Sequence, residues 1–354
     1  MNIVLTIIVA VLVFGAVIFF HELGHFIMAK TGKIKVNEFA IGMGPTLLKF
    51  GKGETTYALR ALPIGGFVSM EGEDEESSDE HSFQRASIPR RLGVMVAGAF
   101  MNLVLGFLAL VLLTSLGGQA IASREIASVE NDSTGLRVGD VITKVNGRRA
   151  FIFDDLSYEF ARTQNGTFDI EVKRDGKKVI LQNITFDTLV AYDQETGEPI
   201  MNESTGEPYE YLNLGFKVWA QEKTFGSVIG EAFNTTLSYS RLIYLSLFDL
   251  ITGKMPINLL SGPVGIVSEI GKAALLGWQS VIQLLALISV NLGVVNMLPL
   301  PALDGGRVIL LMVEAIRHKP MPAKYESVIN VAGFVLLMGL MVFVSFNDIW
   351  RLVT

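Results

Sequence analysis

The amino-acid sequence predicts an α-helical polytopic membrane protein with four transmembrane helices, a membrane re-entrant β-loop and a β-rich extracytoplasmic domain. Half of the 354 residues are hydrophobic, and they are bunched into long runs without charge. Each run approaches or exceeds the roughly 18 to 20 residues that cross a hydrocarbon core of about 30 Å as a helix. A backbone in lipid must be a helix or a closed barrel, and these runs lack the alternation of barrel strands.

The boundaries of the predicted segments follow from these runs and from the charged stretches between them. The four membrane-spanning segments are predicted at residues 1–29, 92–117, 275–303 and 328–346. The other segments are a cytoplasmic-side segment with the β-loop (30–91), a β-rich domain (118–190), an extracytoplasmic segment with an amphipathic helix (191–274), a cytoplasmic loop (304–327) and a C-terminal tail (347–354).

Charge gives the predicted orientation and excludes some partners. Basic residues cluster in three connecting segments, at 30–35, 85–91 and 307–324. By the positive-inside rule these segments face the cytoplasm, so both termini and residues 118–274 lie outside. The net charge of −6 gives no support for a nucleic-acid partner, and the lack of cysteine excludes disulfides and thiolate metal ligands.

Two segments allow more than one interpretation. Residues 34–70 are apolar and rich in glycine, which fits either a small soluble hairpin or a β-loop that dips back into the membrane where protein surrounds it. Residues 226–251 are apolar enough for a fifth span, but their three charges, at Glu231, Arg241 and Asp249, favour an amphipathic surface helix.

The motif that carries chemistry lies at the end of the first span. His21 and His25 flank Glu22 in the pattern His-Glu-Leu-Gly-His. On a helix, residues four apart share one face, so both imidazoles can bind one Zn²⁺ while Glu22 acts as a base on water. The alternative is a pair of helix-end histidines that face lipid headgroups.

A third metal ligand is predicted at Asp304. Catalytic zinc sites usually have three protein ligands, and the two remaining histidines, His81 and His318, lie in charged loops. Asp304 follows Asn-Met-Leu-Pro-Leu-Pro-Ala-Leu and precedes two glycines, so proline breaks the helix just before the carboxylate. A fifth span at 226–251 would place Asp304 on the opposite membrane face, which is a second reason to prefer four spans.

Asparagines in the spans are candidates for contacting a substrate. Asn291 and Asn296 precede Asp304 and could donate hydrogen bonds to a substrate or an oxyanion. Amides in membrane helices also hold helices together by hydrogen bonds. Asn102 in the second span is interpreted as packing, because the small residues before it let that span approach a neighbour closely.

Four stretches together resemble the site-2 protease family of intramembrane zinc metalloproteases, of the bacterial RseP, RasP and Eep type with a PDZ domain. In order they are HELGH, the GMGP and LPIGGFVSM stretches, GLRVGDVITKVNG at 135–147, and the Asn-x-x-Pro-x-Pro-x-Leu-Asp-Gly-Gly stretch at 296–306. The third is similar to a PDZ signature, and it occurs once, whereas some relatives have two.

The resemblance implies a multi-pass protein of the bacterial cytoplasmic membrane, with an extracytoplasmic PDZ-like domain and zinc toward the cytoplasmic side. It implies proteolysis of single-span membrane substrates, such as anti-sigma factors or remnant signal peptides. It also implies that an edge strand of the re-entrant loop pairs with the unwound substrate. We expect that strand at Tyr57, Ala58, Leu59, Arg60, Ala61 and Leu62.

The alternative function is a non-enzymatic membrane adaptor that recruits partners through its PDZ-like domain. An adaptor has no need of an intact metal motif with a matching third ligand, so the sequence favours the protease.

Overall fold

The computed structural model describes residues 3–51, 53–73, 77–118, 120–130, 134–163, 166–193, 196–201, 207–208, 210–257, 260–319 and 323–353. The ends of the first and last predicted segments, residues 1, 2 and 354, lie outside this description. The chain forms two compact units, one of residues 1–113 and 239–354 and one of residues 114–238.

The helices of the described residues are α1 (Ile3–Thr31), α2 (Ile88–Leu116), α3 (Asp154–Arg162), α4 (Phe225–Ile251), α5 (Pro263–Leu276), α6 (Trp278–Asn296), α7 (Asp304–Arg317) and α8 (Ala323–Val353). The strands are β1 (Val36–Phe50), β2 (Thr56–Met70), β3 (Ile121–Val129), β4 (Val141–Val145), β5 (Arg148–Arg149), β6 (Thr167–Arg174), β7 (Lys177–Thr185), β8 (Asp187–Val190), β9 (Glu210–Asn213) and β10 (Phe216–Gln221).

Among the described residues, four helices are long and apolar enough to cross a membrane. They are α1, α2, α6 and the part of α8 at Val328–Trp350. The chain is therefore a polytopic membrane protein, and its described residues include four candidate spans, the number that the sequence predicted. Helix α4 is not among the four, as expected for an amphipathic helix.

The third span and the loop after it differ from their predicted limits. Helix α5 ends at Leu276, and Gly277, with φ at 120°, separates it from α6. Only glycine adopts such an angle readily, so the span predicted at 275–303 with a broken C-terminal end has a second break near its start. Helix α6 ends at Asn296, and the predicted loop at 304–327 includes the helix α7, which begins at Asp304 itself.

Strands β1 and β2 are long, and β1 bends so that it contacts β2 on two sides. Residues 39–41 of β1 pair with residues 66–68 and also with residues 57–59 of β2. Residues 48–50 of β1 pair with residues 57–59 from the other side. Gly42 and Gly44, with φ of 85° and 82°, make the bend between the two parts of β1.

The second unit contains a six-stranded sheet in the order β10-β3-β4-β6-β7, with β5 paired to β4. Its core packs the sheet against α3 through fully buried residues such as Ile142, Leu156 and Phe168. The sheet extends past the predicted domain limit at residue 190, because Phe216 and Gln221 of β10 pair with the two ends of β3. Strands β8 and β9 form a separate antiparallel pair between β7 and β10.

Candidate metal centre

Helix α1 brings the two predicted histidines together. His21 and His25 lie one turn apart on the same face, and their ring planes meet at 84°. The two Nε2 atoms are 3.3 Å apart. The side chains are only 14% and 10% exposed, so the pair is shielded within the helical unit.

The break after α6 places Asp304 beside these rings. The chain leaves α6 at Asn296, turns through the two prolines and starts α7 at Asp304. A Cβ atom on Gly305 would lie 2.2 Å from the carbonyl oxygen of Leu298, so glycine permits this tight return of the chain. Asp304 Oδ2 lies 3.4 Å from Nε2 of His21 and 3.4 Å from Nε2 of His25.

The three donor atoms fit a zinc ion. Zinc bound tetrahedrally by nitrogen and oxygen at about 2.0 to 2.1 Å separates its ligand atoms by about 3.3 Å. The three observed separations, 3.3, 3.4 and 3.4 Å, match that value. In addition, Asp304 Oδ2 is buried and makes no hydrogen bond to any described residue. A buried carboxylate oxygen of this kind is suited to bind a cation.

Each histidine also has a polar neighbour at its other ring nitrogen. His25 Nδ1 lies 2.8 Å from the carbonyl oxygen of Val94 on α2. His21 Nδ1 lies 3.3 Å from the side-chain amide of Asn102, which is fully buried. The sequence interpretation of Asn102 as helix packing missed this contact, because an amide in a membrane helix usually serves that purpose.

A cavity of about 450 Å³ opens onto the three donors. Glu22 lines it beside the histidines and lies against β2, where a Cβ atom on Gly66 would be 2.9 Å from Glu22 Cγ. The rest of the lining is residues 66–70 of β2 with Glu73, Met95, Asp304 and Arg307. The predicted base and the predicted ligands therefore share one pocket.

The two candidate asparagines of α6 differ in position. Asn296 Nδ2 lies 3.5 Å from His21 Nε2, at the edge of the donor triangle. Asn291 is exposed, and it is not among the described residues that line the cavity. Their positions differ by five, which turns their side chains about 140° apart on a helix. The structure thus brings Asn296 to the centre but leaves Asn291 away from it.

The predicted edge strand at residues 57–62 is covered on both sides over its first half, whereas Arg60 and Leu62 have one β1 partner each. Tyr57, Ala58 and Leu59 have β1 partners on both sides, so their backbone is an inner strand of this small sheet. Tyr57 stacks on Phe50 at 5.7 Å, and Arg60 pairs with Glu38 at 2.7 Å. The free edge at the cavity is residues 66–70, which have a β1 partner on one side only in the part of the chain that the structure describes. Because β1 bends, residues 57–59 lie inside the sheet and residues 66–70 lie at its edge. The sequence pattern did not reveal this bend.

Helix α7, which carries Asp304, is fastened by two ion pairs. Near its start, Arg307 pairs with Glu73, and both line the cavity. Farther along, Glu314 accepts hydrogen bonds from both terminal nitrogens of Arg91 on α2. These pairs join α7 to the segment after β2 and to α2. They therefore fix the position of α7, which begins at Asp304.

Comparison with known proteins gives matches over nearly the whole chain. The family model described as peptidase family M50 matches residues 9–340. A Clostridium perfringens protein whose name includes the words zinc metalloprotease is 39% identical, covering 97% of this chain and 98% of its own. The regulator of sigma-W protease RasP of Bacillus subtilis is 29% identical, over 98% and 99% of the two chains. Zinc metalloprotease RasP of Geobacillus kaustophilus is also 29% identical, over 96% and 97%.

Proposed function

The chain belongs to peptidase family M50, and from this premise we propose that His21, His25 and Asp304 hold its catalytic zinc and that Glu22 is its general base. The protein is a zinc metalloendopeptidase of the membrane. The observation that carries the residue assignment is the triangle of donor atoms, with sides of 3.3 to 3.4 Å, beside a cavity that Glu22 also lines.

Zinc held by His21, His25 and Asp304 would act as a Lewis acid, which would polarise the scissile carbonyl and lower the pKa of water. Glu22 accepts a proton from the attacking water and delivers it to the leaving amine, the role of a carboxylate in general acid–base catalysis. Asn296 has its amide nitrogen at the edge of the donor triangle, so it donates a hydrogen bond to the carbonyl oxygen as negative charge develops there.

Residues 66–70 of β2 align the substrate by strand addition. A transmembrane helix hides its backbone, so a peptide bond in it must become extended before it can be cut. The free edge at 66–70 lines the same cavity as the donors and offers backbone groups for that extended segment. Strand addition at this edge replaces the expected pairing at residues 57–62.

We also propose that the β1–β2 sheet is a membrane re-entrant loop, and its exposed surface supports this. Its outer part exposes large apolar side chains, with exposed fractions of 63% at Leu47, 61% at Leu48 and 62% at Phe50. Such a surface is costly in water and is stable against lipid. The re-entrant position brings the edge strand to the level of the spans, where a membrane substrate lies.

The orientation follows from the charge of the connecting segments. We infer from the basic stretches that the metal centre faces the cytoplasm and that both termini lie outside, in a bacterial cytoplasmic membrane. The sheet of the second unit, with its Gly-Leu-Arg-Val-Gly-Asp turn before β4, serves as an extracytoplasmic PDZ-like domain that contacts substrates or partners. The substrates are single-span membrane proteins, such as anti-sigma factors or remnant signal peptides.

Glu22→Gln tests the assignment of the base. We expect the purified variant to retain one zinc per chain and to lose cleavage of a single-span model substrate. Asp304→Asn, in contrast, lowers zinc content as well as cleavage. Full cleavage by Glu22→Gln, or full zinc content in Asp304→Asn by elemental analysis, would overturn the respective assignment.

Photo-crosslinking tests the edge strand. A photoreactive residue at Ser69, in the uncleaving Glu22→Gln background, is expected to crosslink to the substrate. The matched control is the same residue at Leu59, which is 40% exposed but lies on the inner strand. Equal crosslinking at both positions would contradict strand addition at 66–70.

A further inference from the structure

One face of α2 lies against both histidines of α1. Val94, Gly98 and Asn102 follow one another at intervals of four residues and so share a helical face. The carbonyl oxygen of Val94 accepts a hydrogen bond from His25 Nδ1 at 2.8 Å. Gly98 leaves the space that the two rings occupy, and Asn102 reaches His21 at the far end of the pair.

Asn102 is held firmly in this position. It is 0% exposed, and its backbone carbonyl accepts a hydrogen bond of 2.7 Å from the hydroxyl of Ser289 on α6, which is also fully buried. Its side-chain Nδ2 lies 3.3 Å from His21 Nδ1, whereas its Oδ1 is buried without a hydrogen-bond partner among the described residues. Buried polar atoms normally have a hydrogen-bond partner, so the Asn102 oxygen is expected to accept a hydrogen bond in the zinc-loaded protein.

The chemistry of the imidazole identifies that partner. His21 Nε2 faces His25 and Asp304, so it is the ring atom that zinc takes. A neutral imidazole that offers its lone pair at Nε2 carries its proton at Nδ1, and that proton needs an acceptor, which either the backbone of Gly98 beside His21 or the side chain of Asn102 can supply. A half-turn of the Asn102 amide about its last bond exchanges Nδ2 for Oδ1 at the position beside Nδ1.

We propose that Asn102 is the positioning residue of His21: its Oδ1 accepts the Nδ1–H hydrogen bond in the zinc-loaded enzyme, as the Val94 carbonyl does for His25. The proposal rests on the assignment of His21 as a zinc ligand. One helix face thereby fixes the tautomer and the ring orientation of both histidine ligands. Loss of such an outer partner typically lowers metal affinity about 10- to 100-fold.

The test compares three variants of the purified full-length protein by competition with a chromogenic chelator. Asn102→Leu has a similar volume and no acceptor, so zinc affinity is expected to fall about 10- to 100-fold. Asn102→Asp keeps an acceptor at the same place and is expected to stay within about threefold of the wild type. Ser289→Ala is the matched control, because it removes the α2–α6 hydrogen bond and leaves the imidazole contact intact.

The spectrum of the cobalt-substituted protein gives a second measurement. A shift of the ligand-field bands in Asn102→Leu, but not in Ser289→Ala, reports a changed His21 ligand rather than looser packing. Wild-type zinc affinity in Asn102→Leu would overturn the proposal, and so would an equal loss in Ser289→Ala.

His21→Ala separates this proposal from the metal centre itself. It is expected to abolish tight zinc binding. If it does so while Asn102→Leu binds like the wild type, the positioning role alone fails. If His21→Ala binds zinc like the wild type, the proposed centre fails, and the positioning role fails with it.

Discussion

Gly98 faces His25 so closely that a Cβ atom at position 98 would lie 2.2 Å from Nε2 of the histidine. Atoms cannot approach to that distance, so Gly98→Ala must displace the ring or separate α1 from α2. A displacement of about 1 Å at a catalytic group can cost about 100-fold in rate. We therefore expect Gly98→Ala to lower cleavage by about that factor and to lower zinc content. The rate with a model substrate and elemental analysis measure the two effects.

Gly15→Ala is the control for that change. Gly15 also lies on a spanning helix, and among the described residues no atom other than those of its own helix turn lies within 4 Å of the position of its Cβ. Cleavage and zinc content should remain at the wild-type level. A Gly98→Ala enzyme that performs like Gly15→Ala would show that the two helices adjust without moving the donors.

The ion pair of Arg91 and Glu314 supports a second prediction. Their side chains are only 9% and 14% exposed, and the guanidinium makes two hydrogen bonds to the carboxylate. Removing one partner of a shielded pair leaves an uncompensated charge and typically costs about 3 to 5 kcal/mol. Glu314→Gln should therefore lower the thermal stability of the full chain in detergent, measured as its melting temperature.

A charge swap distinguishes the pair from general damage at α7. The double variant Arg91→Glu with Glu314→Arg restores opposite charges and should recover part of the lost stability. Additive destabilisation by the two single changes, without recovery in the double variant, would contradict coupling between them.

The sequence predicted the grouping of His21, His25 and Asp304 better than it predicted the position of the strand near them. His21 and His25 were predictable because a spacing of four residues fixes two side chains on one helical face. Asp304 was predictable because a helix break precedes it and because the other two histidines lie in charged loops. The edge strand was not predictable, since which residues of β2 are covered depends on how β1 bends at Gly42 and Gly44. The alternation of residues along a strand does not show which segments pair with it.

Asp348 anchors the start of α5, which leads to the third prediction. The carboxylate is 4% exposed, and it accepts hydrogen bonds from the backbone N–H groups of Gly262 at 3.2 Å and Gly265 at 2.8 Å. Asp348→Leu leaves both donors unsatisfied, at a cost of about 1 to 3 kcal/mol for each buried donor. The first turn of α5 should then open more often.

The absence of native cysteine allows this opening to be measured directly. A cysteine at Ile270, a position that is 0% exposed, should react with an uncharged maleimide at least about tenfold faster in Asp348→Leu, since 1.4 kcal/mol is a factor of ten. A cysteine at Leu275, which is 66% exposed, should react equally in both backgrounds. Unchanged protection at position 270 would show that other contacts hold α5.

Glu231 makes the stability of the second unit depend on pH. Burial, with the nearby carboxylate of Asp154, raises the pKa of Glu231 to about 7, although Arg124 opposes the shift. The same part of α4 is fixed to α3 by the hydrogen bond from Ser238 to Asp155. Between about pH 4.5 and pH 7 the folded chain therefore holds a proton that the unfolded chain has released.

Raising the pH through this range should weaken the fold, because ionisation of Glu231 is favourable only after unfolding. The loss is on the order of 1 kcal/mol, since the side chain is only partly shielded from solvent. Glu231→Gln cannot ionise, so its melting temperature should fall less than that of the wild type between about pH 5.5 and pH 8. Glu222→Gln, at an exposed position just before α4, should follow the wild type. If Glu231→Gln instead lost as much stability as the wild type over that interval, a different group would be responsible for the pH dependence.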